Sequence, residues 1–483
     1  MVCSLSSGVL HGRTRLRKAV LALFHQNAQS MRTKCKANVI YFLLLSLLLQ
    51  CSVVSWAQEG YSSAAMSMSQ SKSGRWILPR PDEVVEEEYF NYHIHELPRP
   101  DVQQPARLDA QWIGIGPGRY LLQLGLSTLR LEEMPSRQRV NVTLVVDRSG
   151  SMMADDKMVK TKQAMLAFVD QLQAEDHLSI VTFDHLSNVV LHNQPIGDKT
   201  LVRQAINGIY CGGSTNMPAG IELGYQTMLA GIESGRDNRM IILTDALTNT
   251  GVVDPEAIVK ASESYRADVE LSYSMIGVGI DFNYQLSRLM TANGRDQVHF
   301  ISNSDDIQKI FVSEVESLLY PIGRKPQLHI NLPQGMSLQR LYGYEPAISG
   351  ANVDLRLRDF NAGLSQIVLL EVSGAPRLLK QISAELTYQQ PGGGAQVRLV
   401  AQAAEARVNN DLEKNLSIAQ MAASLRQMAE HYDNNNAAAA EDVLDIQIGR
   451  VKGDFPSPRD PDITHMLNIL ENYRKNIRQL AHH

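Results

Sequence analysis

Five oxygen-bearing side chains from three separate stretches of this chain could surround one cation. Asp147, Ser149 and Ser151 stand in Val145-Val146-Asp147-Arg148-Ser149-Gly150-Ser151-Met152, Thr215 in Gly212-Gly213-Ser214-Thr215-Asn216, and Asp245 in Ile241-Ile242-Leu243-Thr244-Asp245. The set offers no nitrogen and no sulfur, so it suits a hard ion: Mg²⁺, Mn²⁺ or Ca²⁺. Alternate residues of an extended loop can turn the same way, and Gly150 allows the tight path that this needs. Neutral hydroxyls outnumber carboxylates here, which leaves the ion electron-poor and able to recruit an exposed Asp or Glu of a partner protein. Such an ion bridges two proteins rather than acting as a Lewis acid in turnover.

The elements that must position these groups alternate in kind. Each acid directly follows an apolar run, as at the carboxyl end of a buried strand, where open α/β sheets bind their ligands. Strands are expected over 140–146, 177–183, 189–191, 239–243, 271–278 and 298–301. Helices are expected over 157–172, 201–209, 218–230, 255–265 and 284–291; in the first, Met158, Met165, Phe168, Val169 and Leu172 share one face. Ser302 and Asp305 form a capping pair for a further helix reaching Leu319. Strands alternating with helices predict an α/β unit over 138–320, with a mainly parallel sheet covered on both faces.

On either side the character changes. Residues 106–137 contain two β-strands, and 321–402 alternate apolar and polar residues in the manner of an antiparallel β-sandwich-like domain. The early strands need partners, which predicts that the α/β block is inserted into one discontinuous β domain. Residues 403–483 form a helical C-terminal region with a broad apolar face around Leu412, Leu416, Met421, Leu425 and Met428. Residues 58–105 are a linker and N-terminal segment, in which 58–74, rich in Ser, Met, Ala and Gln, read as flexible. His93 and His95 sit two apart, as on one face of a strand; the alternative, a metal pair, has no third ligand in view.

The stretches DRSGSM, GGSTN and LTD resemble, in order and separation, the metal-ion-dependent adhesion site of von Willebrand factor type A domains. Ile276-Gly277-Val278-Gly279 followed by Asp281-Phe282-Asn283 is also similar to that family. The resemblance implies a Rossmann-like, doubly wound fold that holds a divalent cation. It implies direct coordination by Ser149, Ser151 and Thr215, with Asp147 and Asp245 direct or water-mediated according to ligand state. Beyond this window the chain resembles, more loosely, bacterial secreted proteins of the inter-alpha-trypsin-inhibitor heavy-chain type, and Glu87-Glu88-Tyr89-Phe90-Asn91-Tyr92 is similar to a segment preceding the domain in one bacterial subgroup. One departure concerns Ala246, where the family often has Gly after the last metal aspartate; a side chain there resists positive φ. Arg148, between Asp147 and Ser149, is expected to be a solvated charge paired with Asp155 or Asp156; the alternative is that it lies near the metal and meets an anionic ligand.

The N-terminus reads as a targeting segment over 1–57. A basic run over 31–36 precedes an apolar core over 39–49, and small residues at 55–57 suit cleavage before Gln58; Met31 is a candidate start. The apolar core is shorter than the roughly 20 residues of a transmembrane helix. The protein is therefore expected to be exported, to the periplasm, the cell surface or the medium, with no membrane span after cleavage; the alternative is a retained signal-anchor. Cys3, Cys35 and Cys51 lie at or before that site, so Cys211 alone persists and no internal disulfide forms. A net charge of −5 points to no nucleic-acid partner.

Three functions compete. One is a cation-dependent protein-binding module of the cell envelope. Another is a constitutive structural subunit of an envelope, pilus or channel-associated complex, to which the helical tail would contribute. The third is a metal-dependent hydrolase, but a dehalogenase-type phosphotransferase needs a second acid where Ser149 stands, and Gly150-Ser151-Met152 supplies no nucleophile elbow. The expectation is a non-enzymatic module.

Overall fold

In chain order, this computed structural model begins with helices α1 (Ala64–Ser73) and α2 (Glu86–Phe90) and the hairpin β1 (Ala106–Gly116)–β2 (Arg119–Thr128). It describes residues 64–480 apart from 135–136, 234–235, 265–270, 292–296, 302–309, 311–318, 350–351, 392–393, 408–409 and 458–459. The α/β unit follows: β3 (Arg139–Asp147), α3 (Lys157–Gln171), β4 (His177–Phe183), β5 (Ser187–Pro195), α4 (Thr200–Asn207) and α5 (Met217–Leu229). It continues with β6 (Arg236–Thr244), α6 (Pro255–Ser264), β7 (Ser272–Val278), α7 (Tyr284–Thr291) and β8 (Gln297–Ile301).

The sheet order is β5-β4-β3-β6-β7-β8, with every pair parallel except β4–β5. The chain thus winds outward from β3 to one edge, returns to the centre at β6, and winds to the other edge. The seam between β3 and β6 is the point where the strand order reverses, the place beyond the carboxyl ends where open α/β sheets bind their ligands. Both strands are buried on two faces, which accounts for their nearly unbroken apolar runs. Leu144 and Val146 pack with Phe168 and Val169 of α3, while Val145 packs on the other side with Met217, Ile221 and Met228 of α5.

After this unit come β9 (Pro321–Asn331), β10 (Ser337–Leu341), β11 (Ala347–Ser349), β12 (Asn352–Arg356), β13 (Phe360–Asn361) and β14 (Ser365–Ser373). They are followed by β15 (Ser383–Gln389), β16 (Gln396–Gln402) and β17 (Ala404–Glu405). Strands from both sides of the α/β unit share one sheet, ordered β10-β14-β2-β1-β17; the other runs β11-β12-β9-β15-β16, with β13 against β9. Leu122, Leu124 and Leu370 of the first meet Leu328, Ile330 and Leu386 of the second, so the two form a sandwich.

The outer face of the first sheet is covered as well. Ile113, Leu121, Ile367 and Leu369 point there, into a core completed by α1, α2 and three C-terminal helices, α8 (Asn410–Asp433), α9 (Ala437–Asp454) and α10 (Pro461–Leu480). Alternation along β14 is clean: Ile367 and Leu369 enter the helical core, Val368 and Leu370 the sandwich core.

Two expectations are corrected. Residues 64–73 are helix, with Ala64, Ala65, Met66 and Met68 buried, instead of flexible linker. Ala and Met favour helix, and the Ser and Gln content that suggested disorder includes Ser69, whose carbonyl accepts from Tyr473 Oη at 2.9 Å. His93 and His95 lie outside any strand; both are buried, and His93 Nδ1 stands 2.9 Å from Asp462 of α10. The acidic run before them is structural: Glu88 is buried, accepts from Ala65 N–H at 2.8 Å and pairs with Arg358 at 3.1 Å. The targeting segment and most of the helix expected over 302–319 lie outside the described residues. Among those described, no helix is long and apolar enough to cross a membrane.

Candidate functional site

Beyond the carboxyl end of β3, the Asp147 carboxylate turns back on its own backbone. Its Oδ1 accepts from Ser149 N–H at 2.8 Å, an Asx turn that aims the loop. Its Oδ2 accepts from the Thr244 hydroxyl at 2.6 Å. Ser149 Oγ and Ser151 Oγ lie 3.0 Å apart, so the alternate residues of this loop do face the same way.

Backbone bonds stitch the second loop to the first. Gly150 N–H donates to Gly213 O at 3.0 Å, and Gly212 N–H to Arg148 O at 2.8 Å. Gly213 has φ +82°, and a Cβ there would stand 3.1 Å from Asp184 Cγ, so the approach requires glycine. Thr215 is tied in turn to the loop after Asp245: its N–H donates to Asn249 Oδ1 at 2.8 Å, and its carbonyl accepts from Asn249 and Thr250 N–H, each at 3.1 Å. The five predicted side chains therefore lie on three loops joined by hydrogen bonds at one end of the sheet. Asp147 and Asp245 are fully buried, Ser149 and Thr215 nearly so, and Ser151 is half-buried.

Burial pushes the Asp147 carboxyl up to about 6; bonds from Thr244 and Ser149 oppose the rise, and the Asp245 charge adds to it. Asp245 Oδ1 accepts from Leu247 N–H at 3.3 Å and Oδ2 from Lys157 Nζ at 2.9 Å. Sequence reasoning missed Lys157, which read only as the first residue of an amphipathic helix. A signal was present, because a cation in the first turn of a helix opposes the helix dipole and needs a separate reason to be there. Burial lowers the affinity of this ammonium for its proton, but hydrogen bonds to Asp281 and Asp245 outweigh that effect and leave its pKa raised.

Two further expectations are corrected. Arg148 pairs with Asp184 at 2.7 Å, not with Asp155 or Asp156. Those two acids take left-handed backbone, φ +50° and +58°, in the turn before α3. Ala246 adopts positive φ after all, at +57°. This costs about 1–2 kcal/mol, but its N–H donates to Thr244 Oγ1 at 2.8 Å and its methyl is buried in the helical core. Cys211 is partly buried, and burial, then the nearby Asp147 charge, raises its thiol pKa.

The donor set is all oxygen and fits a hard divalent ion: two carboxylates and three hydroxyls, with no imidazole or thiolate. Among the described residues, no group of three or more His, Cys, Asp or Glu is placed to hold a metal.

Residues 141–312 match the von Willebrand factor type A domain, and that stretch of the chain is such a domain. The protein YfbK of Escherichia coli (strain K12), itself uncharacterized, is 28% identical over 299 residues, covering 59% of this chain and 50% of that one. Inter-alpha-trypsin inhibitor heavy chain H2 of Sus scrofa is 26% identical over 202 residues, covering 40% of this chain and 21% of that one. This chain thus spans half the length of the bacterial relative and about a fifth of the heavy chain. A solved von Willebrand factor type A protein from Catenulispora acidiphila shares the fold with a TM-score of 0.50 at 15% identity, covering 76% of this chain and 96% of that one.

Proposed function

We propose that this von Willebrand factor type A domain protein is a divalent-cation-dependent protein-binding module of the cell envelope. Mg²⁺, Mn²⁺ or Ca²⁺ would be held by Ser149, Ser151 and Thr215, with Asp147 and Asp245 direct or through water. A bound ion would supply a positive charge for an exposed Asp or Glu of the partner. The observation that carries the reading is the joining of three loops by Gly150–Gly213, Thr215–Asn249 and Thr244–Asp147 bonds, which brings hydroxyls and buried carboxylates to one end of the sheet.

The chain's own residues prepare that site. The Asx turn at Asp147 fixes the Ser149 and Ser151 backbone before any ligand arrives. Arg148 is held by Asp184 at the rim, where it is about a third exposed and adds positive charge toward an acidic partner. The reading as a constitutive subunit loses its main motive. The apolar face of the helical tail, including Leu412, Leu425 and Leu470, is buried in the chain's own core instead of being offered to a neighbour. Domains of this family are usually interaction modules without catalysis, and no acid stands at Ser149, where phosphotransfer would need one.

Pull-down from envelope extract, with and without EDTA, tests the proposal. A partner retained with Mg²⁺ and released by chelator is expected. A partner that stays bound through chelation, or that binds Asp147→Ala equally well, would refute it.

A further inference from the structure

Lys157 Nζ is buried between two carboxylates, 2.9 Å from Asp245 Oδ2 and 2.8 Å from Asp281 Oδ1. Its side chain is 2% exposed, whereas that of Asp281 is 50% exposed. The path of the lysine is built for it. A Cβ on Gly279, which has φ +93°, would stand 2.4 Å from Lys157 Cε, so only glycine lets the chain pass. The same segment fixes Asp245 from its backbone side: Asn283 N–H donates to Asp245 O at 3.1 Å, and Asn283 Oδ1 accepts from Leu286 N–H at 3.1 Å at the start of α7. Gly279, Asp281 and Asn283 thus serve Asp245 through one lysine and one backbone bond.

We propose that Lys157 is a built-in cation that occupies Asp245 Oδ2, keeps this carboxylate from binding an ion directly, and makes tight ion binding depend on a partner's carboxylate. The inference rests on the reading of the five oxygens as a metal site. With one oxygen committed to the ammonium and the other to Leu247 N–H, Asp245 reaches an ion through water or a remaining lone pair. The fixed positive charge also offsets one of the two buried negative charges. The site alone then attracts a divalent ion weakly, and an incoming Asp or Glu restores the missing charge. Asp281 tunes the device by sharing the ammonium: what it takes, Asp245 is spared.

Isothermal calorimetry with Mn²⁺ alone, on the full chain without partner, tests this by the sign of two changes. Lys157→Met should bind Mn²⁺ more tightly than the wild type, by about tenfold, because the carboxylate is released. Asp281→Asn, which leaves the ammonium to Asp245 alone, should bind several-fold more weakly. Mn²⁺ binding gained only in Lys157→Met would support the proposal equally. Wild-type binding that is unchanged or weaker in a cooperatively melting Lys157→Met overturns the role of Lys157 and leaves the metal site standing. Should Lys157→Met fail to fold, an Asp281→Asn affinity equal to or above wild type overturns it. No Mn²⁺ uptake by the wild type or by either variant overturns the metal reading and this inference together.

Discussion

The Thr244 hydroxyl donates to Asp147 Oδ2 at 2.6 Å, joining the ends of two adjacent parallel strands. Thr244 Oγ1 in turn accepts from Ala246 N–H at 2.8 Å, so one threonine links the Asp147 carboxylate to the loop that carries Asp245. Both Asp147 and Thr244 are fully buried.

Thr244→Val keeps the shape and removes the hydroxyl. It should destabilise the fold by about 1–3 kcal/mol, because a buried carboxylate oxygen and a buried amide each lose a partner. Thermal unfolding would show this. Calorimetry should also show weaker Mn²⁺ binding, since the Asp147 carboxylate is freed to rotate.

Asp147→Ala and Asp245→Ala should each abolish Mg²⁺ or Mn²⁺ binding while preserving a cooperative melt. Each removes one of the two charged donors of a site whose three other members are neutral hydroxyls. Unchanged affinity in both variants, measured by calorimetry, would contradict the assignment.

The carboxyl of Glu87 carries a pH dependence of its own. Burial first, then the Glu88 charge, raises it from its ordinary value to about 7. Folded and unfolded states are both protonated below about 4.5 and both ionised well above 7; in between, the folded state binds more protons, so stability is lost as pH rises. Glu87→Gln removes this dependence. Its stability relative to the wild type should grow between pH 4.5 and 7.5, by roughly 3 kcal/mol at most. Urea unfolding of both proteins across that range reads the difference, and parallel curves would count against it.

A fragment spanning 58–320 should aggregate. It keeps β1 and β2 but lacks β14, which pairs with β2 from Ser365↔Ser127 to Ser373↔Arg119, and it lacks the helices that cover Ile113 and Leu121. An unpaired strand edge with two apolar faces is a template for association. Light scattering that shows a stable monomer would contradict this.

The α/β unit was legible in the sequence because its signals are local. Apolar runs, a 3.6-residue period in α3 and the turn chemistry around Gly150 and Gly213 each act within a few residues of one another. The spacing Asp147, Ser149, Ser151 already dictates that alternate side chains face one way, as the 3.0 Å Ser149–Ser151 separation shows. What no local pattern contains is which buried charge meets which. Lys157 lies 88 positions from Asp245 and 124 from Asp281 along the chain. Arg148 pairs with Asp184 because its own N–H bonds to Phe183 O at the end of β4, which brings Asp184 alongside. Helix α1 looked like a linker because its small and sulfur-containing residues become a core only when α10 and α2 close over them. Ala246 tolerates its backbone strain only because Thr244 and the packed core hold it there. Charge pairing, burial and tolerated strain are properties of surfaces brought together by the fold, so tertiary structure alone decided them.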